Sequence, residues 1–210
     1  MADDLKIAVF ASGRGSNFEA ILKAIRAGKI KGAEVVAVIS NNSGAGALQT
    51  ARTHGIPALH ISRTQFESEG EFDTQLLNAF DKHLVNFIVL AGYMKKVSPA
   101  VISRFRNRIV NIHPALLPEF GGEGMYGGHV HRAVIAAGKT VSGATVHIVD
   151  EVYDRGAIVL QKSLPVAPDD TPETLAAKVL ELEHEIYPEA IRLFAEGKVT
   201  IIENKASILQ

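Results

Sequence analysis

Residues 6–17, Lys6-Ile7-Ala8-Val9-Phe10-Ala11-Ser12-Gly13-Arg14-Gly15-Ser16-Asn17, decide the fold. A short apolar run ends in a Gly/Ser turn, and from Asn17 to Ala27 the apolar residues Phe18, Ile21, Leu22 and Ile25 recur at helical spacing until Gly28 stops them. That is a strand, a tight turn and a helix. The same unit repeats outward. Val35-Val36-Ala37-Val38-Ile39 reads as a strand ending at Ser40-Asn41-Asn42, Gly46 to His54 as a helix closed by Gly55, Ile56 to Ile61 as a strand, and Glu71 to His83 as a helix.

Phe87-Ile88-Val89-Leu90-Ala91 is continuously apolar, as suits a central parallel strand covered on both faces. Pro99 to Phe105 reads as a short helix and Ile109 to Ile112 as a strand. Beyond Thr140, Ala144 to Val149 alternates weakly and Ala157 to Leu164 is β-rich. A helix is expected from Thr171, its N-cap, to Ala195, with Pro172 at its first position and Pro188 kinking or splitting it. The order predicts an α/β chain with a mostly parallel sheet, helices on both faces and antiparallel additions late in the sequence. No repeat or linker interrupts it. Since a domain runs to roughly 100–200 residues, 210 residues read as one domain, with an N-terminal half (about 1–100) and a C-terminal half (about 101–210).

Composition narrows the function. With no cysteine, the chain has no disulfide, thiolate metal site or cysteine nucleophile. The balance of 22 Lys+Arg against 23 Asp+Glu argues against a nucleic-acid surface, which needs a clustered basic excess. The start lacks the pattern of a signal peptide, and no apolar run reaches the roughly 18 residues of a membrane helix. The expectation is a cytoplasmic protein with no nucleic-acid or membrane partner.

Three stretches carry chemistry. The turn at Ser12-Gly13-Arg14-Gly15-Ser16-Asn17 suits a phosphate, because glycines let backbone N–H groups approach an anion at the positive end of a helix. It is not a dinucleotide fingerprint: Phe18 replaces the third Gly, and Ser40-Asn41-Asn42 supplies no acid for a ribose diol. A structural turn is the plainer alternative. In Asn111-Ile112-His113-Pro114, strand alternation would point Asn111 and His113 to one side, an amide and an imidazole suited to an oxyanion; a loop-capping His is the alternative. Third, Val146-His147-Ile148-Val149-Asp150-Glu151-Val152-Tyr153-Asp154-Arg155-Gly156 is an acidic loop between two β runs, readable as a site or as a solvated loop with a satisfied His147. Gly121 to Gly128, followed by His129-Val130-His131, reads as a mobile flap, and no carboxylate partner completes a metal site there.

Together, Ser12-Gly13-x-Gly15-Ser16-Asn17, Leu90-Ala91-Gly92-Tyr93-Met94, Asn111-x-His113-Pro114-x-Leu116-Leu117-Pro118, Gly143-x-Thr145-Val146-His147 and Asp154-x-Gly156 resemble, in this order, the phosphoribosylglycinamide formyltransferase family, from about Ile7 to Glu203. The resemblance implies a single-domain, Rossmann-like formyltransferase fold. It implies transfer of a formyl group from 10-formyltetrahydrofolate, as cosubstrate, to the glycyl amine of glycinamide ribonucleotide in de novo purine biosynthesis. It also implies that Gly15, Ser16 and Asn17 hold the substrate phosphate and that Glu183 contacts the nucleotide substrate. Asn111, His113 and Asp154 form the catalytic trio. Met94, Lys95, Lys96 and Val97, with Asn111 and the loop residues Asp150, Glu151, Val152 and Tyr153, wall the folate pocket. No metal is implied, and a homodimer is allowed. Under this reading Asp154 keeps His113 charged, and both Asn111 and His113 stabilise a tetrahedral oxyanion.

The sequence departs from the commoner pattern at three places. Gly121 to Gly128 is longer than the usual turn, Lys95 stands where Arg is frequent, and Glu69 falls where an Arg of the folate site can occur. The nearest rival is a formyltetrahydrofolate hydrolase, expected to carry an N-terminal regulatory domain. A methionyl-tRNA formyltransferase would need a C-terminal RNA-binding barrel and a basic face. A non-catalytic nucleotide-binding protein is the reading from another class.

Overall fold

The computed structural model describes residues 4–209, and these divide between Val110 and Asn111 into two compact units. The first unit realises the alternation of the opening sequence. Its elements are β1 (Leu5–Phe10), α1 (Ser16–Arg26), β2 (Ala33–Ser40), α2 (Gly46–Thr53), β3 (Ala58–His60), a 3-10 turn at Arg63–Gln65, α3 (Glu69–Lys82), β4 (Phe87–Leu90) and α4 (Pro99–Arg104). Strand β1 pairs in parallel with β2 on one side and β4 on the other, and β2 pairs in parallel with β3. The chain therefore winds one way from β1 and returns across it to β4. The crevice outside the carboxyl ends of β1 and β4 is the switch point where open α/β sheets bind ligands.

The apolar runs are buried as their continuity demands: Ile7, Ala8 and Val9 of β1 and Ile88 and Val89 of β4 are fully covered. Phe10 meets Tyr93 edge-on at 5.1 Å, and Phe80 meets Phe105 at 5.1 Å, anchoring α3 and α4 on this core. Ser68 and Ser98 cap α3 and α4 by accepting the N–H groups of Glu71 and Val101, and Pro99 opens α4.

Strand β5 (Ile109–His113) crosses the unit boundary. It is followed by α5 (Gly128–Ala136), β6 (Val141–Ile148), β7 (Ile158–Pro165), α6 (Pro172–Ala195), β8 (Val199–Ile202) and β9 (Lys205–Ile208). Seven strands are hydrogen-bonded in the order β3-β2-β1-β4-β5-β6-β7, and β8 and β9 form a separate antiparallel hairpin. The β6–β7 pair is antiparallel, as the late additions were expected to be. Among the described residues, no helix is long and apolar enough to cross a membrane.

Two expectations are corrected and one element is added. Helix α6 is not split at Pro188, because the residues around it (Leu182, Ile186, Tyr187, Ala190, Ile191) are all buried and packing holds the helix where a hydrogen bond is missing. His129, Val130 and His131 belong to α5 and not to the glycine-rich flap, since the helix begins at Gly128. The β8–β9 hairpin is the element that the sequence did not announce.

Candidate active site

In the first unit, the Gly-rich turn leads directly into α1. Gly15 is its N-cap, at φ +86°, and makes no side-chain cap, so the positive end of the helix opens directly from the glycine turn. Only glycine fits here for a second reason: a Cβ on Gly15 would come within 2.7 Å of the Ala47 Cβ on α2. Ser16 starts the helix, and Asn17 is buried on its first turn.

Ser12 ties the ends of β1, β2 and β4 together. Its hydroxyl lies 2.6 Å from Asn41 Oδ1, to which it donates, and accepts the Met94 N–H at 2.9 Å, while the Ser12 N–H donates to Gly92 O at 3.0 Å. Met94, Lys95 and Lys96 are exposed and Val97 is buried, so the first three lie at the surface and Val97 anchors the segment. Burial raises the Tyr93 hydroxyl to about 12.

In the second unit, Asn111 and His113 lie two residues apart on β5, and the expected alternation holds: both reach one cluster with His147 of β6 and Asp154 of the β6–β7 loop. Asn111 Nδ2 lies 3.1 Å from His147 Nε2, and His147 Nδ1 donates to Ile148 O at 2.9 Å. With Nδ1 protonated, Nε2 offers a lone pair to the Asn111 amide and leaves the second amide hydrogen for another acceptor. Asp154 Oδ2 lies 3.6 Å from His113 Nδ1 and Asp154 Oδ1 3.5 Å from His147 Nε2. The His113 side chain is 3% exposed and the Asp154 side chain 11%.

Local structure aims these groups. Strand β7 carries an extra residue, Val159, between the pairs Val146–Leu160 and His147–Ile158, an irregularity beside the end of β6 that carries His147. Thr145, fully buried, donates to Ala115 O at 2.6 Å and accepts from Leu117 N at 3.1 Å and Gln161 Nε2 at 2.9 Å, pinning the Pro114–Pro118 turn behind His113. The Leu117–Pro118 peptide bond in this turn is cis. The acidic loop closes where Ile148 N meets Ala157 O at 2.8 Å. A Cβ on Gly156 would fall 1.9 Å from Ile148 O, so the Asp-x-Gly pattern needs glycine for room. Asp154 takes φ +56°, a conformation few non-glycine residues adopt. Next to it, Asn204 Nδ2 in the hairpin turn donates to Arg155 O at 3.1 Å.

The charge state follows from these contacts. Burial is the strongest single influence on Asp154 and raises its pKa. The neighbouring His147 imidazole, the hydrogen bond from the Gly122 N–H and the approach of His113 together outweigh it, and the pKa ends below the ordinary carboxylate value. Burial also dominates at His113 and lowers its pKa, against the Asp154 charge and the Phe120 carbonyl. The expectation that Asp154 keeps His113 charged is thereby corrected: desolvation of the imidazolium outweighs a carboxylate 3.6 Å away. The pair is a carboxylate beside a neutral imidazole whose Nε2–H is committed to Phe120 O at 2.8 Å.

A family model described as Formyl transferase matches residues 5–191. The chain belongs to the formyl transferase family. It is 42% identical over 205 residues to the chloroplastic phosphoribosylglycinamide formyltransferase of Vigna unguiculata, covering 98% of this chain and 65% of that protein, so it spans about two thirds of that relative's length. It is 38% identical over 202 residues to the phosphoribosylglycinamide formyltransferase of Escherichia coli K12, covering 96% of this chain and 92% of that one. The solved structure of glycinamide ribonucleotide transformylase 1 from Symbiobacterium toebii superposes with a TM-score of 0.92 at 41% identity, covering 98% and 94% of the two chains.

This formyl transferase places its other expected site residues in varied settings. Asp150 Oδ1 accepts the Val152 N–H at 2.9 Å, shaping the loop, while Glu151, Val152 and Tyr153 are exposed. Glu183 is buried on α6. Thr145 and His147 stand in the Gly143-x-Thr145-Val146-His147 motif, and His147 beside the acidic loop, but the sequence assigned neither a role in the site. Among the described residues, no group of three or more His, Cys, Asp and Glu side chains is placed to hold a metal ion.

Proposed function

We propose that this formyl transferase moves the formyl group of 10-formyltetrahydrofolate to the glycyl amine of glycinamide ribonucleotide, giving formylglycinamide ribonucleotide and tetrahydrofolate, a step of de novo purine synthesis in the cytoplasm. The observation that carries this reading is the Asn111/His113/Asp154 cluster: an amide donor, a neutral imidazole and a carboxylate held ionised. The names of its relatives support it.

In this reading Gly15, Ser16 and Asn17 hold the substrate phosphate, and Glu183 contacts the nucleotide. Met94, Lys95, Lys96 and Val97, with Asn111 and residues Asp150, Glu151, Val152 and Tyr153, bind the folate. The amine attacks the formyl carbon, and the tetrahedral oxyanion accepts a hydrogen bond from Asn111. His113 Nδ1 takes the proton released by the attacking nitrogen, directly or through water. The imidazolium so formed is stabilised by Asp154 and faces the oxyanion. As the bond from carbon to the folate nitrogen breaks, its electron pair stays on that nitrogen and His113 returns the proton there. Nothing in this sequence requires a metal. Losing one oxyanion donor lowers turnover about 10²–10³-fold, so Asn111→Ala, His113→Ala and Asp154→Ala are each expected to lose at least that much with the fold retained.

The test is an assay of purified protein with 10-formyltetrahydrofolate, with and without glycinamide ribonucleotide. Tetrahydrofolate release that depends on the ribonucleotide and matches formylated product supports the transferase. Formate release at the same rate without it makes the chain a hydrolase, and no turnover leaves a nucleotide-binding protein.

A further inference from the structure

We propose that the backbone of Phe120-Gly121-Gly122 is a positioning bracket for the reacting pair, holding His113 by a carbonyl and Asp154 by an N–H. It rests on the reading above for its catalytic meaning, but the geometry stands by itself. Phe120 O accepts the His113 Nε2–H at 2.8 Å, and two residues later the Gly122 N–H donates to Asp154 Oδ2 at 2.8 Å. The Oδ2 atom it holds is the one that faces His113 Nδ1. One carbonyl thus sets the imidazole tautomer, with Nε2 protonated and Nδ1 turned to the carboxylate, and one amide keeps that carboxylate ionised and aimed.

The residue types in this stretch fit that task. Gly122 has φ +105°, which L side chains rarely adopt. A Cβ on Gly121 would fall 2.5 Å from Leu117 Cδ2 and 3.1 Å from Asp154 Cβ, so the chain can lie this close to Asp154 only as glycine. Phe120 takes φ +54°, costly for a bulky residue, and is held from outside: Lys139 lies 5.8 Å over its ring and pairs with Glu119 at 2.9 Å. The rest of the glycine-rich stretch differs. Gly124 has positive φ, at +82°, and a Cβ there, as on Gly122, would meet nothing within 4 Å; what sets Gly122 apart is its hydrogen bond to Asp154. The bracket is the fixed root of an otherwise open segment.

The test compares Gly122→Ala and Gly121→Ala with Gly124→Ala, which carries a similar backbone demand without touching the site. Loss of one hydrogen bond to a charged group predicts a fall in kcat of about 10- to 100-fold in Gly122→Ala, with KM for the ribonucleotide nearly unchanged and Gly124→Ala close to wild type. The acid limb of kcat should move to higher pH, because Asp154 without its donor protonates more easily. The groups facing that carboxylate are His113 from β5, His147 from β6 and Tyr153 on its own loop, and His131 of α5 faces His113. All stay in place in the variant. Carbon-13 NMR titration of the Asp154 carboxyl reads the bracket without turnover: it should titrate at higher pH in Gly122→Ala than in wild type even if no formyl transfer is found. An unchanged Asp154 titration in Gly122→Ala overturns the bracket, as does an equal loss of kcat in Gly124→Ala.

Discussion

His147 Nε2 lies 3.5 Å from Asp154 Oδ1, on the opposite carboxylate oxygen from the one that faces His113. The same nitrogen is 3.1 Å from the Asn111 amide, so one buried imidazole touches both the oxyanion donor and the carboxylate of the proposed mechanism. His147→Ala removes a partner from each. Kinetics should show kcat falling about 10- to 100-fold with KM little changed, and denaturant unfolding a loss of about 1–3 kcal/mol for the groups left unsatisfied. Unchanged kcat would reduce His147 to a core histidine.

How far this site was legible follows from the kind of signal each residue gave. Strands β1, β2 and β4 are unbroken apolar runs, which parallel burial requires, and helix α6 announced itself through Thr171-Pro172; these read directly. Asn111 and His113 were legible as a pair because a strand repeats every two residues. His147 was not, because its importance lies in meeting Asn111 of another strand, 36 residues earlier, a pairing that strand alternation does not reveal. The hairpin of β8 and β9 was missed because Glu203 and Asn204 make the turn at φ +48° and +59°, with no glycine to signal it. Helix α5 was hidden by the glycines before it, whose turn chemistry masks a helix start at Gly128.

Ser12 offers a test of the folate segment. Its hydroxyl accepts the Met94 N–H and donates to Asn41 Oδ1, so Ser12→Ala leaves both without that partner at the end of β1. If Met94 to Val97 wall the folate pocket, KM for 10-formyltetrahydrofolate should rise several-fold while KM for the ribonucleotide holds. Equal changes in both would detach this network from folate binding.

Gly15→Ala tests the turn before α1. The substitution strains a residue at φ +86° and drives a methyl into Ala47, so α1 and α2 must separate or the turn must distort. A loss of about 2 kcal/mol is expected from the strained backbone alone, seen as a fall in Tm of about 4–8 °C in a chain of this size. Where the turn holds the phosphate, KM for the ribonucleotide rises at least tenfold below that Tm. A stability loss with normal KM would leave the turn structural.

The pH dependence of stability follows from three groups in and beside the site, His113, His131 and Asp154. His113 has its folded pKa below the ordinary 6.5, so the unfolded chain binds its proton more readily. The stabilisation is complete above about pH 6.5 and is lost as pH falls through the folded value. His131, also buried and lowered, acts in the same window. Asp154 is depressed from 3.8, so its contribution persists to lower pH and disappears only as pH falls below that value through the folded pKa. All three push the same way, and none favours the folded state in acid. Each fully shifted group tilts stability by about 1.4 kcal/mol per pH unit. Thermal unfolding between pH 5 and 8 should therefore show Tm falling below about pH 6.5, with the slope reduced in His113→Gln and again in His113→Gln/His131→Gln. A Tm that is flat from pH 5 to 6.5, or a slope untouched in the double variant, would mean that these imidazoles are solvated, and the neutral His113 on which the proton transfer depends would go with them.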